Sequence, residues 1–241
     1  MDALKDGKQW ELGEALDLLD INMDVQDIPF ANEESKDIAT EQHKCMISGL
    51  VEKNSELYKL ISKCEIIACE KEFVYKIDLP FDVVYKGSYY GCVYVIGSID
   101  LLLKDKDDNL IVVDYKSGNK KFDSTKIKNN LQLPIYSLVV KRVYGRLPSK
   151  TMYYFTRLDE FQEVQPIAED NESAIVTYYK NGKIKSKQRC IEDVMNVLQS
   201  IFKDMYTSKK YKANVSPLCC WCQFQHNYGE IGTCKYGFPN Y

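Results

Sequence analysis

The chain has 241 residues, 45% hydrophobic and 28% charged, with a net charge of −3, so it can bury a sizeable core in one domain but has no overall basic coat for nucleic acid. Its 32 Lys and Arg remain free to line a local groove. No apolar run approaches the ~20 residues of a membrane span, and the first residues lack the apolar stretch of a secretory signal, so a soluble, cytoplasmic protein with no membrane attachment is expected.

Residues 9–28 hold scattered apolar positions among many acids and predict a short helix, followed by an irregular stretch around Pro29. A helix is expected from Asn32 to about Leu60, with His43, Met46, Ile47, Leu50 and Val51 near helical spacing. Residues 64–80 and 81–86 read as two strands, with a turn at Gly87-Ser88. Residues 89–103 and 110–116 are the central strands. Residues 129–142 predict a helix that starts near Leu131 or Gln132, because Pro134 is tolerated only in a first turn. Residues 150–156 and 163–167 read as further strands. Along residues 191–205, Ile191, Val194, Met195, Leu198, Ile201, Phe202 and Met205 trace one apolar stripe of an amphipathic helix. The order predicts a mixed α/β (α+β) domain over residues 1–206, with a central mixed sheet flanked by helices. A cysteine-rich tail, residues 207–241, is expected to pack on the same domain.

The two central strands flank a polar turn. With the turn centred near Asp107, Asp100 falls opposite Asp114, and Lys116 shares the face of Asp114. The opposite face carries Ile99, Leu101, Leu103, Ile111, Val113 and Tyr115 and is expected to be core. Two facing carboxylates repel and weaken a sheet. A hard divalent cation between them would remove that penalty, and a neighbouring lysine could then orient a water or stabilise developing charge. On its own, the hairpin is equally readable as a charged surface face. Gln132 and Tyr136 lie four residues apart, so they share a helix face that can lie across this site. His43, one of two histidines, is a candidate third metal ligand.

Taken in order, Ala39-x-x-x-His43, Gly97-Ser-Ile-Asp100, Asp114-Tyr-Lys-Ser-Gly118 and Gln132-Leu-Pro-Ile-Tyr136 resemble the motifs of the RecB-like branch of the PD-(D/E)XK nuclease superfamily. Ala39 stands where that branch usually has Gly. The resemblance spans roughly residues 39–136 and implies a restriction-endonuclease-like core and hydrolysis of DNA phosphodiester bonds. It implies that His43, Asp100 and Asp114 hold Mg²⁺ or Mn²⁺, with the Tyr115 carbonyl as a further ligand. Lys116 would position the attacking water, and Gln132 and Tyr136 would line the site and hold the strand. An additional acid on the preceding strand is expected at Glu72, with Glu70 as the alternative.

Nine cysteines without a signal peptide read as thiols or metal ligands. Cys219 and Cys222 have the spacing that lets two thiolates reach one metal, and Cys234 could supply a third. This tail is similar to the iron–sulfur tails of CRISPR adaptation exonucleases and of the AddB nuclease subunit, which implies a [4Fe–4S] cluster. No cysteine precedes His43, so the fourth ligand would come from Cys220, Cys45, Cys64, Cys69 or His226; a Cys₃His set would suit Zn²⁺.

No sequence-reading DNA motif is present. Lys116, Lys120, Lys121, Lys126 and Lys128 surround the site in sequence and could track phosphates, as could Lys209–Lys212. The expected activity is a metal-dependent DNA exonuclease acting on single strands or free ends, in recombination, repair or phage replication. A helicase or recombination partner would supply unwinding, because no nucleotide-binding Gly-x-x-x-x-Gly-Lys-(Ser/Thr) motif is present. The alternatives are a structure-specific endonuclease and a non-catalytic DNA-binding module of a larger complex.

Overall fold

A computed structural model describes residue 11 and residues 13–17, 33–85 and 87–208. The chain divides after Gln199 into two units, of which the second is described only over residues 200–208.

Residues 13–17 are helical, within the expected N-terminal helix. The single helix expected over residues 32–60 is two: α1, Glu33–Val51, and α2, Glu56–Ile61. The break has a local cause. Ser55 is extended and its side chain accepts the Tyr58 N–H, capping α2. The Glu56 N–H is taken at 2.9 Å by the distant carboxylate of Asp159.

Strands β1, Cys64–Tyr85, and β2, Ser88–Asp105, form one long antiparallel hairpin. The two strands expected over residues 64–86 are thus a single one. Pro80 lies within the register shift between Asp78 and Val83, where its missing N–H breaks no ladder bond. β3, Leu110–Lys116, pairs antiparallel with β2; β4, Lys150–Phe155, pairs parallel with β3; β5, Glu160–Val164, returns antiparallel on β4. The five-stranded sheet is therefore mixed, in the order β1-β2-β3-β4-β5. β5 begins three residues earlier than the sequence reading places it. A tight turn through Asp159, at φ 49°, brings Glu160 opposite Phe155.

The parallel step from β3 to β4 is bridged by α3, Ser124–Asn129, and α4, Gln132–Tyr144. α3 forms ahead of the helix expected at residues 129–142. Asp123 nucleates it by accepting the Lys126 N–H at 2.8 Å. Pro134 occupies the first turn of α4, as expected. A small hairpin, β6 (Val176–Tyr178) and β7 (Ile184–Lys187), turns at Asn181-Gly182, a two-residue signal that the sequence reading passes over. α5, Ile191–Thr207, closes the described chain.

The centre of the sheet is buried on both faces, which is why β3 and β4 are almost continuously apolar. One face packs Leu102, Val112, Tyr153 and Phe155 against Leu133, Tyr136, Val139 and Val140 of α4. The other packs Leu101, Leu103, Ile111, Val113, Met152 and Tyr154 around Leu57 of α2. Each fully buried Leu or Val contributes roughly 1.5–3 kcal/mol. Ile99 departs from expectation by joining the α4 face. β2 alternates regularly from Leu103 to Leu101 and then resets at Asp100, whose side chain turns to the β3 edge. Among the described residues no helix is long and apolar enough to cross a membrane.

Candidate active site

The β2–β3 ladder runs from Lys104↔Leu110 to Leu101↔Val113. The next row in this register is Asp100 and Asp114, as the turn position predicts. Here the ladder changes character. Instead of a backbone carbonyl, Asp100 Oδ2 accepts the Tyr115 N–H, at 2.8 Å. The N–H and C=O of a strand residue point to the same edge, so the Tyr115 carbonyl faces the Asp100 side. The Tyr115 ring turns to the other face and packs edge-on to Tyr154. Its hydroxyl is buried without a hydrogen bond, and burial raises its pKa, with Cys69, Asp100 and Glu70 adding to the effect.

Asp114 is fully buried. Lys116 Nζ forms an ion pair with Oδ2, yet neither carboxylate oxygen accepts a hydrogen bond of good geometry. Charge contact alone does not replace lost hydration. Burial lifts the Asp114 pKa to about 6, against the opposing pull of Lys116 and with a further push from Asp100. The Tyr136 hydroxyl also bears on this carboxylate.

α4 completes the arrangement. Gln132, at its first residue, accepts from Lys116 Nζ at 2.8 Å and donates to the Tyr136 hydroxyl at 3.0 Å. The Gln132 N–H is held by Asn130 Oδ1 at 2.7 Å, which fixes the start of the helix. Asp114, Lys116, Gln132 and Tyr136 thus form one polar network between β3 and α4. Burial raises the Tyr136 hydroxyl to a pKa of about 12, so it stays a proton donor at neutral pH. Lys116 Nζ also lies 5.5 Å from the centre of the Tyr153 ring, in the strand row next to Asp114.

A PD-(D/E)XK nuclease superfamily model matches residues 4–226. The chain belongs to the PD-(D/E)XK nuclease superfamily. Members of this superfamily are nucleases. No curated protein matches the chain.

His43 is exposed on α1, and among the described residues no three His, Cys, Asp or Glu side chains converge to hold a metal ion. Glu72 is exposed and faces Ser98, two rows beyond the aspartates. Glu70 lies between the pairs Cys69↔Leu101 and Lys71↔Ile99, which puts it in the row of Asp100. Its φ of 46° is unusual for Glu inside a strand, and backbone strain of this kind gathers at functional sites. Among the basic residues, Lys121 pairs with Glu160 and Lys126 lies over the Phe122 ring, while Lys120 and Lys128 are exposed. Cys64, Cys69, Cys92 and Cys190 form no disulfide. Cys219, Cys220, Cys222, Cys234, His226 and Lys209–Lys212 lie outside the described residues. The sequence reading misses Tyr153, which meets the network from a parallel neighbour about 40 residues away and leaves no local signal.

Proposed function

We propose that this protein is a metal-dependent DNA exonuclease of the RecB-like branch, cutting phosphodiester bonds in single strands or at free ends during recombination, repair or phage replication, with unwinding supplied by a helicase or recombination partner. The observation that carries this reading is the convergence of Asp100, Asp114, Lys116, Gln132 and Tyr136 through contacts of the Asp-x-Lys strand with α4.

The donor set fits a hard cation. Asp114 is a buried carboxylate whose two oxygens lack good donors, and Asp100 keeps Oδ1 beyond its bond to Tyr115. Asp100 and Asp114, with the Tyr115 carbonyl and His43, would hold Mg²⁺ or Mn²⁺; Glu70 is the acid best placed by register to assist. Such an ion, when bound, lowers the pKa of a water and offsets charge on the phosphate.

The protein's own groups do the rest. Lys116 presents an ammonium beside Asp114, positioned to hold a water or to meet charge on a phosphate oxygen. Gln132 fixes where that ammonium stands. The Tyr136 hydroxyl, kept protonated, is a donor to the strand. The cysteines of the tail are read as a structural metal site, iron–sulfur or zinc, which visible absorbance and metal analysis of the purified protein distinguish.

Incubation with linear and circular single-stranded DNA plus Mn²⁺ tests the reading. Loss of linear DNA alone supports an exonuclease, and cutting of circles supports the endonuclease alternative. No cleavage with any divalent cation would leave a binding module and end the enzyme reading.

A further inference from the structure

Beside the catalytic network lies a cavity of about 260 Å³, lined in part by Lys128, Asn130, Leu133, Tyr153, Lys187 and Arg189. It shares a wall with the network. Leu133 follows Gln132 in α4, and Tyr153 carries Lys116 near its ring. The Tyr153 hydroxyl is within electrostatic reach of Asp114, Tyr136 and Arg189 together.

Arg189 is the unusual member. It is half-buried, and it donates to the Asn130 carbonyl at 3.3 Å. No carboxylate forms an ion pair with it among the described residues. Asp193, the acid that bears on it, is already bound to the Cys190 N–H at 3.0 Å and to the Cys190 thiol. Burial accordingly pulls the guanidinium pKa down. A partly desolvated guanidinium without a counter-ion costs free energy until an anion supplies the charge.

Several neutral polar groups of the lining are spent internally. Thr151 Oγ1 donates to Val164 O at 2.7 Å, Ser137 Oγ to Leu133 O at 2.9 Å, and Gln188 spans Pro166 O and the Ile175 N–H. Lys187 reaches Asn171 Oδ1. The cationic donors at the cavity are Arg189 and Lys128, beside the Tyr153 hydroxyl and Gln165, against the single exposed acid Glu163. A planar guanidinium matches the oxygens of a phosphate, and the apolar wall of Leu133 and Ile167 suits a sugar or base edge.

We propose that this cavity is a phosphate subsite: it holds the phosphate of a nucleotide neighbouring the bond being cut, with Arg189 as its anchor and Lys128 at its rim. The inference rests on the nuclease reading and adds the means by which a strand is registered against Lys116.

Calorimetric titration of the full-length protein in EDTA with thymidine 5′-monophosphate, thymidine 3′-monophosphate and thymidine tests it. At least one monophosphate should bind about tenfold tighter than thymidine, as hydrogen bonds to charged groups exceed neutral ones; which one reports the direction of the strand. In Arg189→Gln this advantage should fall about fivefold or more, and in Lys128→Gln about two- to threefold, while the surface control Lys180→Gln keeps it. Thermal melts report folding, and if Arg189→Gln fails to fold, Lys128→Gln decides. Equal binding of thymidine and both monophosphates, no binding of any, or unchanged affinity in the deciding variant overturns the subsite. DNA cleavage is read separately. A protein that cuts DNA but ignores monophosphates loses only the subsite, whereas one that binds them and cuts nothing with any divalent cation loses the nuclease reading.

Discussion

The Phe73 ring lies against Gly97 so closely that a Cβ at Gly97 would meet Phe73 Cζ at 2.7 Å. The two residues are direct partners across β1 and β2. The same ring stands edge-on to Tyr136, with centroids 6.0 Å apart at 82°. The glycine of the Gly-x-Ile-Asp strand therefore leaves room for an aromatic ring that buttresses Tyr136, and through it Gln132.

Gly97→Ala should for this reason destabilise the protein. In an ordinary strand, replacing Gly gains roughly 0.5–1 kcal/mol. Here the added methyl meets a ring held on its far side, and overpacking of this kind costs about 1–3 kcal/mol. Cleavage should fall with it as Tyr136 is displaced. Combining Gly97→Ala with Phe73→Leu should recover part of the stability in urea melts. Strictly additive losses would show that the ring does not link the two.

Asp114→Asn should abolish cleavage and, without metal, stabilise the fold. The Asp114 pKa is raised from 3.8 to about 6, so the folded state holds a proton that the unfolded chain releases first. The wild type thus loses stability as pH rises from about 4 to 6, and the loss is then constant. The advantage of Asn should be absent below pH 4 and reach the order of 2–3 kcal/mol above pH 6. Mn²⁺ should raise the melting temperature of the wild type and not that of the variant. A pH-independent difference between the two would contradict the assigned burial cost.

Lys116→Ala should lower single-turnover cleavage by about 10²–10³-fold or more, the range for removing one preorganised electrostatic group, with the fold retained by circular dichroism. Gln132→Ala should cost less, about tenfold, because it loosens the position of Lys116 and leaves its charge. Unchanged cleavage in Lys116→Ala would remove the lysine from its role.

Ser55→Ala tests the helix break apart from chemistry. Loss of this cap should cost about 1 kcal/mol and leave cleavage per folded molecule unchanged. A stability unaffected within error would mean that the Asp159 carboxylate alone holds the start of α2.

What was legible in the sequence is what local periodicity controls. Strand alternation put Lys116 on the face of Asp114, helix spacing joined Gln132 to Tyr136, and the turn near Asp107 set Asp100 opposite Asp114. The rest depends on events with no local signature. Ile99 changes face because the Asp100 side chain leaves the alternation to take a backbone N–H. Glu70 reaches the aspartate row because β1 shifts register between Ile66 and Ala68, with no Gly or Pro to mark it. At the α1–α2 break the start of α2 is held by Asp159, 103 residues away from Glu56, as well as by Ser55. Arg189 comes from the far side of a hairpin whose turn residues were readable but whose docking was not.

The bond from Asp100 to the Tyr115 N–H also sets the order in which this protein could decay. A lineage released from selection for cleavage could shed Asp114 and Lys116 together, because replacing a buried ion pair by apolar residues is often neutral or stabilising. Asp100 is harder to lose, since its carboxylate serves as the last rung between two central strands. A relic copy would therefore keep the aspartate of β2 after losing both charges of β3, and a surviving Asp100 alone would mark ancestry, not activity.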